Sequence, residues 1–305
     1  MKKITVPVIL GPTAVGKTQL ALELAARFGY EIISCDSRQI YRHMDIGTAK
    51  PGTDQLDNVV HWFVNIINPD QSYSAHHFAQ KALKIIREKD SCGKKVLICG
   101  GTGLYFYTLS RGIGVREESD TQIRTGLQQR VATEGAQALY DELSRIDPQS
   151  ASKLHPNDLQ RIIRALEVFY KSGKPLSLLQ EISNPPSDID FVTCIVTCSR
   201  DILYHRINLR VDGMMSAGLF DEFRLLQALG FNHNSPGMQC VGYRELFAVQ
   251  RRELNLSDAI EKIKQNTRNY AKRQFTWFRN KSKGTHLDSE QAYSKLKKIF
   301  SQQQR

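Results

Sequence analysis

The stretch GPTAVGKT (11–18) constrains this 305-residue chain more than any other. It follows the apolar run VIL (8–10), and Leu20, Ala21, Leu24 and Phe28 then recur at helical spacing until Gly29. A strand, a glycine-rich turn and a helix in direct succession converge backbone N–H groups on an anion. The helix dipole adds to them, Lys17 supplies a charge, and the Thr18 hydroxyl can hold Mg²⁺. This shape is the ATP-binding motif of kinases and NTPases, and a tight strand-to-helix turn is its bland alternative. EIIS (31–34) and KVLICGG (95–101) read as further buried strands, and SAHHFAQKALKIIREK (74–89) as an amphipathic helix between them. That rhythm implies a doubly wound parallel sheet of the α/β class, with functional loops at the strands' C-terminal ends. Pro7 is placed at the first residue of its strand, because proline fits a central strand poorly.

After about residue 114 the pattern turns helical. SDTQ (119–122) has the form of a capping box, and GAQALYDELSRI and NDLQRIIRALEVFYKSG carry helical periods bounded by DP, HPND and SGKP. The proline-rich SNPPSD (183–188) breaks this run, and FVTCIVTC (191–198) resumes the strand signal. The expected organisation is a core of residues 1–114 and 188–305 with a helical insertion at 115–187. From 201 onward the chain reads as mostly helical, with a glycine-bearing loop at SPGMQCVGYRE (235–245).

Composition is that of an ordinary globular protein, 41% hydrophobic and 24% charged. The six cysteines are scattered without a C-x-x-C, so reduced core thiols are expected rather than a metal site. MKKITVPVIL is too short in its apolar part for a signal peptide, and no run approaches the ~20 apolar residues of a membrane span. A cytoplasmic protein without a membrane partner is expected. Forty-two Lys and Arg against 31 Asp and Glu leave a charge of +11. From Lys262 to Lys283 eight basic residues occur with no acidic one, interleaved with Phe275, Trp277 and Phe278. At helical spacing Lys264, Arg268 and Lys272 form one stripe, and Ile260, Ile263, Thr267 and Tyr270 the opposite, core-facing one. Such a run is either a solvated helix face or a nucleic-acid surface on which bases stack beside phosphate contacts.

An NTPase also wants an apolar strand ending in an aspartate that holds Mg²⁺, and KVLICGG ends in glycines. The acidic residue that does follow an apolar strand is Asp36, in IISCDSRQIY. The polar cluster Asp36, Ser37, Arg38 and Gln39 suits a planar group with donors and acceptors, such as a nucleobase, and is equally read as a plain polar loop.

Seven segments in order, GPTAVGKT, DSRQIYRHMDIGTAKP (36–51), GGTGLYF (100–106), LHPNDLQRIIRALEV (154–168), RVDGMMSAGL (210–219), QCVGYRE (239–245) and AKRQFTWFR (271–279), resemble the tRNA dimethylallyltransferase (tRNA isopentenyltransferase) family. The resemblance spans nearly the whole chain. It implies a P-loop NTPase-like fold, dimethylallyl diphosphate as donor, and as acceptor N6 of the adenine 3′ of the anticodon, presented on a tRNA anticodon stem-loop. It assigns the diphosphate to Gly11, Pro12, Thr13, Ala14, Val15, Gly16, Lys17, Thr18 and Arg210, with Mg²⁺ on Thr18. It makes Asp36 the general base, with Thr18, Lys17 and Arg210 also catalytic. Without it, Arg210 reads as a solvated helix arginine.

The resemblance further implies tRNA contacts by Asp36, Ser37, Arg38, Gln39, Thr102 and Arg124, and by Gln160, Arg161, Ile162, Ile163 and Arg164. Gln239, Cys240, Val241, Gly242, Tyr243 and Arg244 form a third segment, and Lys272, Arg273, Gln274, Phe275, Thr276, Trp277, Phe278 and Arg279 a fourth. His155 reads as helix-entry structure, and a monomer is expected. Two other classes compete: a P-loop kinase of a nucleotide or small metabolite, and a non-catalytic RNA-binding protein. A small-molecule kinase has no use for the basic aromatic helix, and a mere binder has none for Lys17, Thr18 and Asp36.

Overall fold

The computed structural model describes residues 3–112, 120–181 and 184–302, and these divide into two compact units. One comprises residues 1–110 and 187–305, the other 111–186.

The first unit is built on six parallel strands: β1 (Ile4–Leu10), β2 (Tyr30–Cys35), β3 (His61–Trp62), β4 (Lys95–Gly100), β5 (Ile189–Thr197) and β6 (Thr285–Asp288). Their order across the sheet is β3-β2-β4-β1-β5-β6, the P-loop NTPase-like doubly wound architecture. All six residues of β2 and the last five of β1 are buried, as a parallel strand covered on both faces requires. Because β2, β4 and β1 are neighbours, the loops leaving their C-terminal ends meet at one edge of the sheet. Those loops carry Asp36, Gly100–Thr102 and GPTAVGKT respectively.

Pro7 is not the first residue of β1 but its fourth. Register with β5 runs through it (Pro7↔Val192), whereas pairing with β4 begins only at Val8. The residue without an N–H therefore sits where the strand has a single neighbour, which is how a central strand tolerates it. The helix after β1 spans Lys17–Phe28 and ends on Gly29 at φ 70°, the left-handed cap. Ser74 caps the helix Ala75–Ser91 by accepting from His77 N–H. The last helix, Ser289–Gln302, places Phe300 against Phe28 and Tyr30, with ring centroids 5.7 and 4.9 Å apart, so chain end and chain beginning share one core.

The second unit is helical, with Leu127, Leu139, Leu143, Ile162 and Leu166 at its centre. Ser119 of the expected capping box lies outside the described residues; the cap of Thr121–Glu134 is Asp120, whose side chain accepts from Gln122 and Ile123 N–H. The fully buried Glu167 accepts from Asp120 N–H at 2.6 Å, Arg124 at 3.0 Å and Arg164 at 3.1 Å. A buried carboxylate is tolerated only with such compensation. His155 is exposed and accepts from Asn157 N–H, in the turn that enters Leu159–Ser172.

Candidate active site

The phosphate loop crosses from β1 into Lys17–Phe28 with Gly16 at φ 97°, a conformation that favours glycine. Lys17 is buried and donates to Pro12 C=O at 3.1 Å. Burial lowers the pKa of its ammonium, with Asp36 opposing and Arg210 adding to that effect. Arg210 reaches the loop from the helix Arg200–Ser216, donating to Thr13 Oγ1 at 3.3 Å, and burial lowers its pKa as well. One turn earlier Arg206 donates to Val15 C=O at 3.5 Å.

A cavity of about 270 Å³ opens above the loop, and Lys17, Thr18, Ser34, Asp36, Gln39 and Arg210 all line it. Asp36 Oδ1 accepts from Arg38 N–H at 2.8 Å and Gln39 N–H at 3.4 Å, an Asx turn that fixes one oxygen. Gln39 is fixed in turn, its Oε1 accepting from Ser34 and its Nε2 donating to Ala49 C=O. Thr102 Oγ1 accepts from Ser37 N–H at 2.9 Å, tying the loops after β2 and β4 together. Arg38 donates to Pro236 C=O at 3.1 Å. A second cavity, about 550 Å³, shares Ala49, Lys50, Pro51 and Arg210 with the first. Among the described residues no group of three or more His, Cys, Asp or Glu could hold a metal, and the cysteines are unpaired.

The basic helix spans Leu256–Lys281 and differs from expectation on both faces. Lys264 pairs with Asp212 at 2.8 Å and Glu261 at 2.9 Å, and Arg268 donates to Asn208 at 2.6 Å. Both are therefore committed to the protein, mainly to the helix that carries Arg210, and only Lys272 of the stripe is exposed. The core face is Ala259, Ile263, Ala271, Gln274 and Phe278, whereas Tyr270 is 37% exposed.

Several residues assigned to tRNA are buried within the fold. Ile162 and Ile163 lie in the core of the helical unit. Tyr243 and Phe278 are essentially buried, at 0% and 1% exposed. Gln274, 7% exposed, works inside the fold: its Oε1 accepts from Thr13 N–H at 2.9 Å and its Nε2 donates to Gly101 C=O at 2.8 Å. A Cβ on Gly101 would stand 2.6 Å from Gln274 Nε2, so glycine there leaves room for this bridge. A Cβ on Gly103 would likewise meet Trp277 at 2.1 Å. Arg161, Gln239, Arg244, Lys272, Arg273, Thr276 and Arg279 are exposed; Arg124, Arg164, Cys240, Val241, Phe275 and Trp277 are half-buried, as is Thr102. Gln160 is exposed and Gly242 buried.

Sequence reasoning missed Lys50 and Glu222. The Lys50 side chain is 2% exposed and spends its donors on Tyr41 C=O, Asp45 and Asn65. Glu222 accepts from three successive backbone N–H groups, Asp45 and Ile46 at 2.7 Å and Gly47 at 3.0 Å, and from Tyr243 O–H at 2.5 Å. Burial and the Glu222 carboxylate push the Tyr243 phenol well above its ordinary pKa, so it donates at neutral pH. No local pattern marks Glu222, which lies 175 to 177 residues from the three N–H groups it accepts from.

A phosphate-loop sequence on a parallel sheet, with an arginine and an aspartate lining the same cavity, defines a protein of the P-loop NTPase-like fold. The chain belongs to the IPP transferase family, whose model matches residues 39–281. A tRNA dimethylallyltransferase of a Thermoanaerobacter species is 40% identical over 301 residues, covering 97% of this chain and 96% of the relative. That of Acetivibrio thermocellus is 44% identical over 278 residues, 89% and 88% of the two chains. Among solved structures, the tRNA isopentenylpyrophosphate transferase of Bacillus halodurans has a TM-score of 0.71 at 37% identity, covering 98% of this chain and 96% of its own. A eukaryotic dimethylallyltransferase acting on tRNA has a TM-score of 0.78 at 29% identity, over 95% of this chain and 74% of that one.

Proposed function

We propose that this protein transfers a dimethylallyl group from dimethylallyl diphosphate to N6 of the adenine immediately 3′ of the anticodon in tRNA. The observation that carries the reading is the single cavity in which Lys17, Arg210 and Asp36 face one another while β4 ends in glycines. Such a site suits a departing diphosphate and a deprotonated amine. At the end of β4 it lacks the strand-end acid of a hydrolytic NTP site.

In the step, the bond from allylic C1 to the diphosphate oxygen breaks with its electron pair, and C1 bonds to N6. Negative charge grows on the leaving diphosphate, which the loop amides, Lys17 and Arg210 are preorganised to receive. The N6 proton passes to Asp36, whose acceptance of one N–H offsets the delocalisation that makes the amine a weak nucleophile. The adenine reaches the cavity by turning out of its loop, an inexpensive move for an unpaired nucleotide. A Mg²⁺ ion fits the oxygen donors here: the Thr18 hydroxyl, on the cavity lining, would be one ligand, with substrate phosphates supplying others. It would neutralise charge on the diphosphate.

Exposed Arg161, Arg244, Lys272, Arg273 and Arg279 supply cations for tRNA phosphates, and half-buried Trp277 and Phe275 are candidates for base stacking. Among the described residues no helix is long and apolar enough to cross a membrane. A monomer acting on cytoplasmic tRNA is the form proposed. The test is incubation with an unmodified anticodon stem-loop and either labelled dimethylallyl diphosphate or γ-labelled ATP. Prenyl label should reach the RNA in proportion to diphosphate released. Label moving from ATP to a small acceptor, with none entering RNA, would establish a kinase instead.

A further inference from the structure

Glu222 stands outside the reacting groups, yet it accepts four hydrogen bonds, three of them from the backbone of 45–47. Its two oxygens fill the concavity formed by three consecutive N–H groups of the segment 45–47, a backbone arrangement suited to one anion. Tyr243, fully buried, presses on the same segment: a Cβ on Gly47 would stand 2.4 Å from its hydroxyl oxygen. The chain then continues as Thr48, Ala49, Lys50 and Pro51, which wall the first cavity, and the last three also wall the second. Two bonds carry this placement to the acceptor side. Ala49 C=O holds the Gln39 amide, and Gln39 N–H is held by Asp36 Oδ1.

We propose that Glu222 is a positioning residue for transfer, fixing the 45–51 wall and, through Ala49 and Gln39, the orientation of Asp36. The inference rests on the proposed prenyl transfer and deepens it. It predicts a specific split. Glu222 touches neither the phosphate loop nor an exposed cation, so both substrates should bind normally while the reacting geometry degrades. Misplacement of a reacting group by about an ångström costs on the order of 10²-fold in rate.

The variant is Glu222→Gln, which keeps the shape but points an NH₂ group at donors that need an acceptor. Tyr243→Phe guards against a fold defect, since it removes one donor and leaves the packing on Gly47. For each, single-turnover transfer to an anticodon stem-loop is measured at saturating substrates, beside separate binding curves for stem-loop and dimethylallyl diphosphate and amide hydrogen exchange. Glu222→Gln should lose ~30- to 100-fold in transfer rate, with both dissociation constants within about threefold and protection lost at amides 45–47. Tyr243→Phe should show the same split with a smaller rate loss. Transfer within about threefold of wild type, or binding lost in step with rate, overturns the positioning role. Wild type that forms no prenylated RNA refutes the proposed function itself, and the exchange data then decide the placement alone: unchanged protection at 45–47 overturns it.

Discussion

Replacing Gln274 by leucine keeps the side chain's bulk and deletes both ends of a bridge between the phosphate loop and the turn after β4. Thr13 N–H, half-buried at the cavity lining, and Gly101 C=O, buried, both lose their partners. Each orphaned buried group costs about 1–3 kcal/mol, for an upper bound of roughly 2–6 kcal/mol. Against the ~5–15 kcal/mol by which domains are typically stable, that is a large fraction. Urea unfolding followed by tryptophan fluorescence suits the question, because Trp62 and Trp277 both belong to the sheet-bearing unit. The midpoint should fall with the slope unchanged. Gln274→Glu adds a sign. It retains the acceptor for Thr13 but sets a carboxylate against Gly101 C=O, which raises its folded pKa above the unfolded ~4.3. Its stability relative to wild type should therefore be best below that unfolded value and decline as pH rises through the folded one. A loss under about 0.5 kcal/mol for Gln274→Leu, or a Glu variant that gains relative stability with rising pH, would refute the account of the bridge.

Asp36→Asn retains an acceptor but no base, and single-turnover prenylation should drop by roughly 10²–10⁴ with stem-loop affinity nearly unchanged. Lys17, whose pKa burial lowers, binds fewer protons when folded than when unfolded at alkaline pH. Its contribution to stability therefore rises with pH there, while diphosphate affinity, which needs the ammonium, weakens; titration calorimetry of Lys17→Met against wild type should show that pH dependence flattened. The paired Lys264→Ala and Arg268→Ala substitutions should leave the salt dependence of tRNA binding intact. Lys272→Ala with Arg273→Ala and Arg279→Ala should reduce its log–log slope by about 0.7–0.9 for each phosphate no longer neutralised.

The parts of this molecule that local pattern encodes were legible in its sequence. Glycine spacing disclosed the phosphate loop, and buried β-branched runs disclosed β1, β2, β4 and β5 with the helices between them. The two shortest strands gave no such signal: HW and THLD are too brief to show a period, and only their neighbours make them strands. Periodicity placed Ile263 in the core and Lys272 in solvent, but not Tyr270, Lys264 or Arg268, because a lysine or arginine stem can lie along a neighbouring helix and meet a partner there, as Lys264 and Arg268 do. Tyr243 and Phe278 sit inside motifs that resemble those of an RNA-binding family, yet they are core residues. Glu222 and Gln274 act across long sequence separations, which no one-dimensional pattern records.

The aromatic packing of Phe300 on the pair Phe28 and Tyr30 bears on how the protein is made. Synthesis yields the phosphate loop first, on a strand whose β5 neighbour begins only at Ile189. Gln274 and Phe300 arrive later again. The emerging N-terminal half thus presents an apolar strand lacking one neighbour and a helix lacking its cover, the condition in which nascent chains attract chaperones or one another. Chains truncated before Ser289 should stay protease-sensitive around Lys17–Phe28, so that helix is covered only once the segment 289–302 is present.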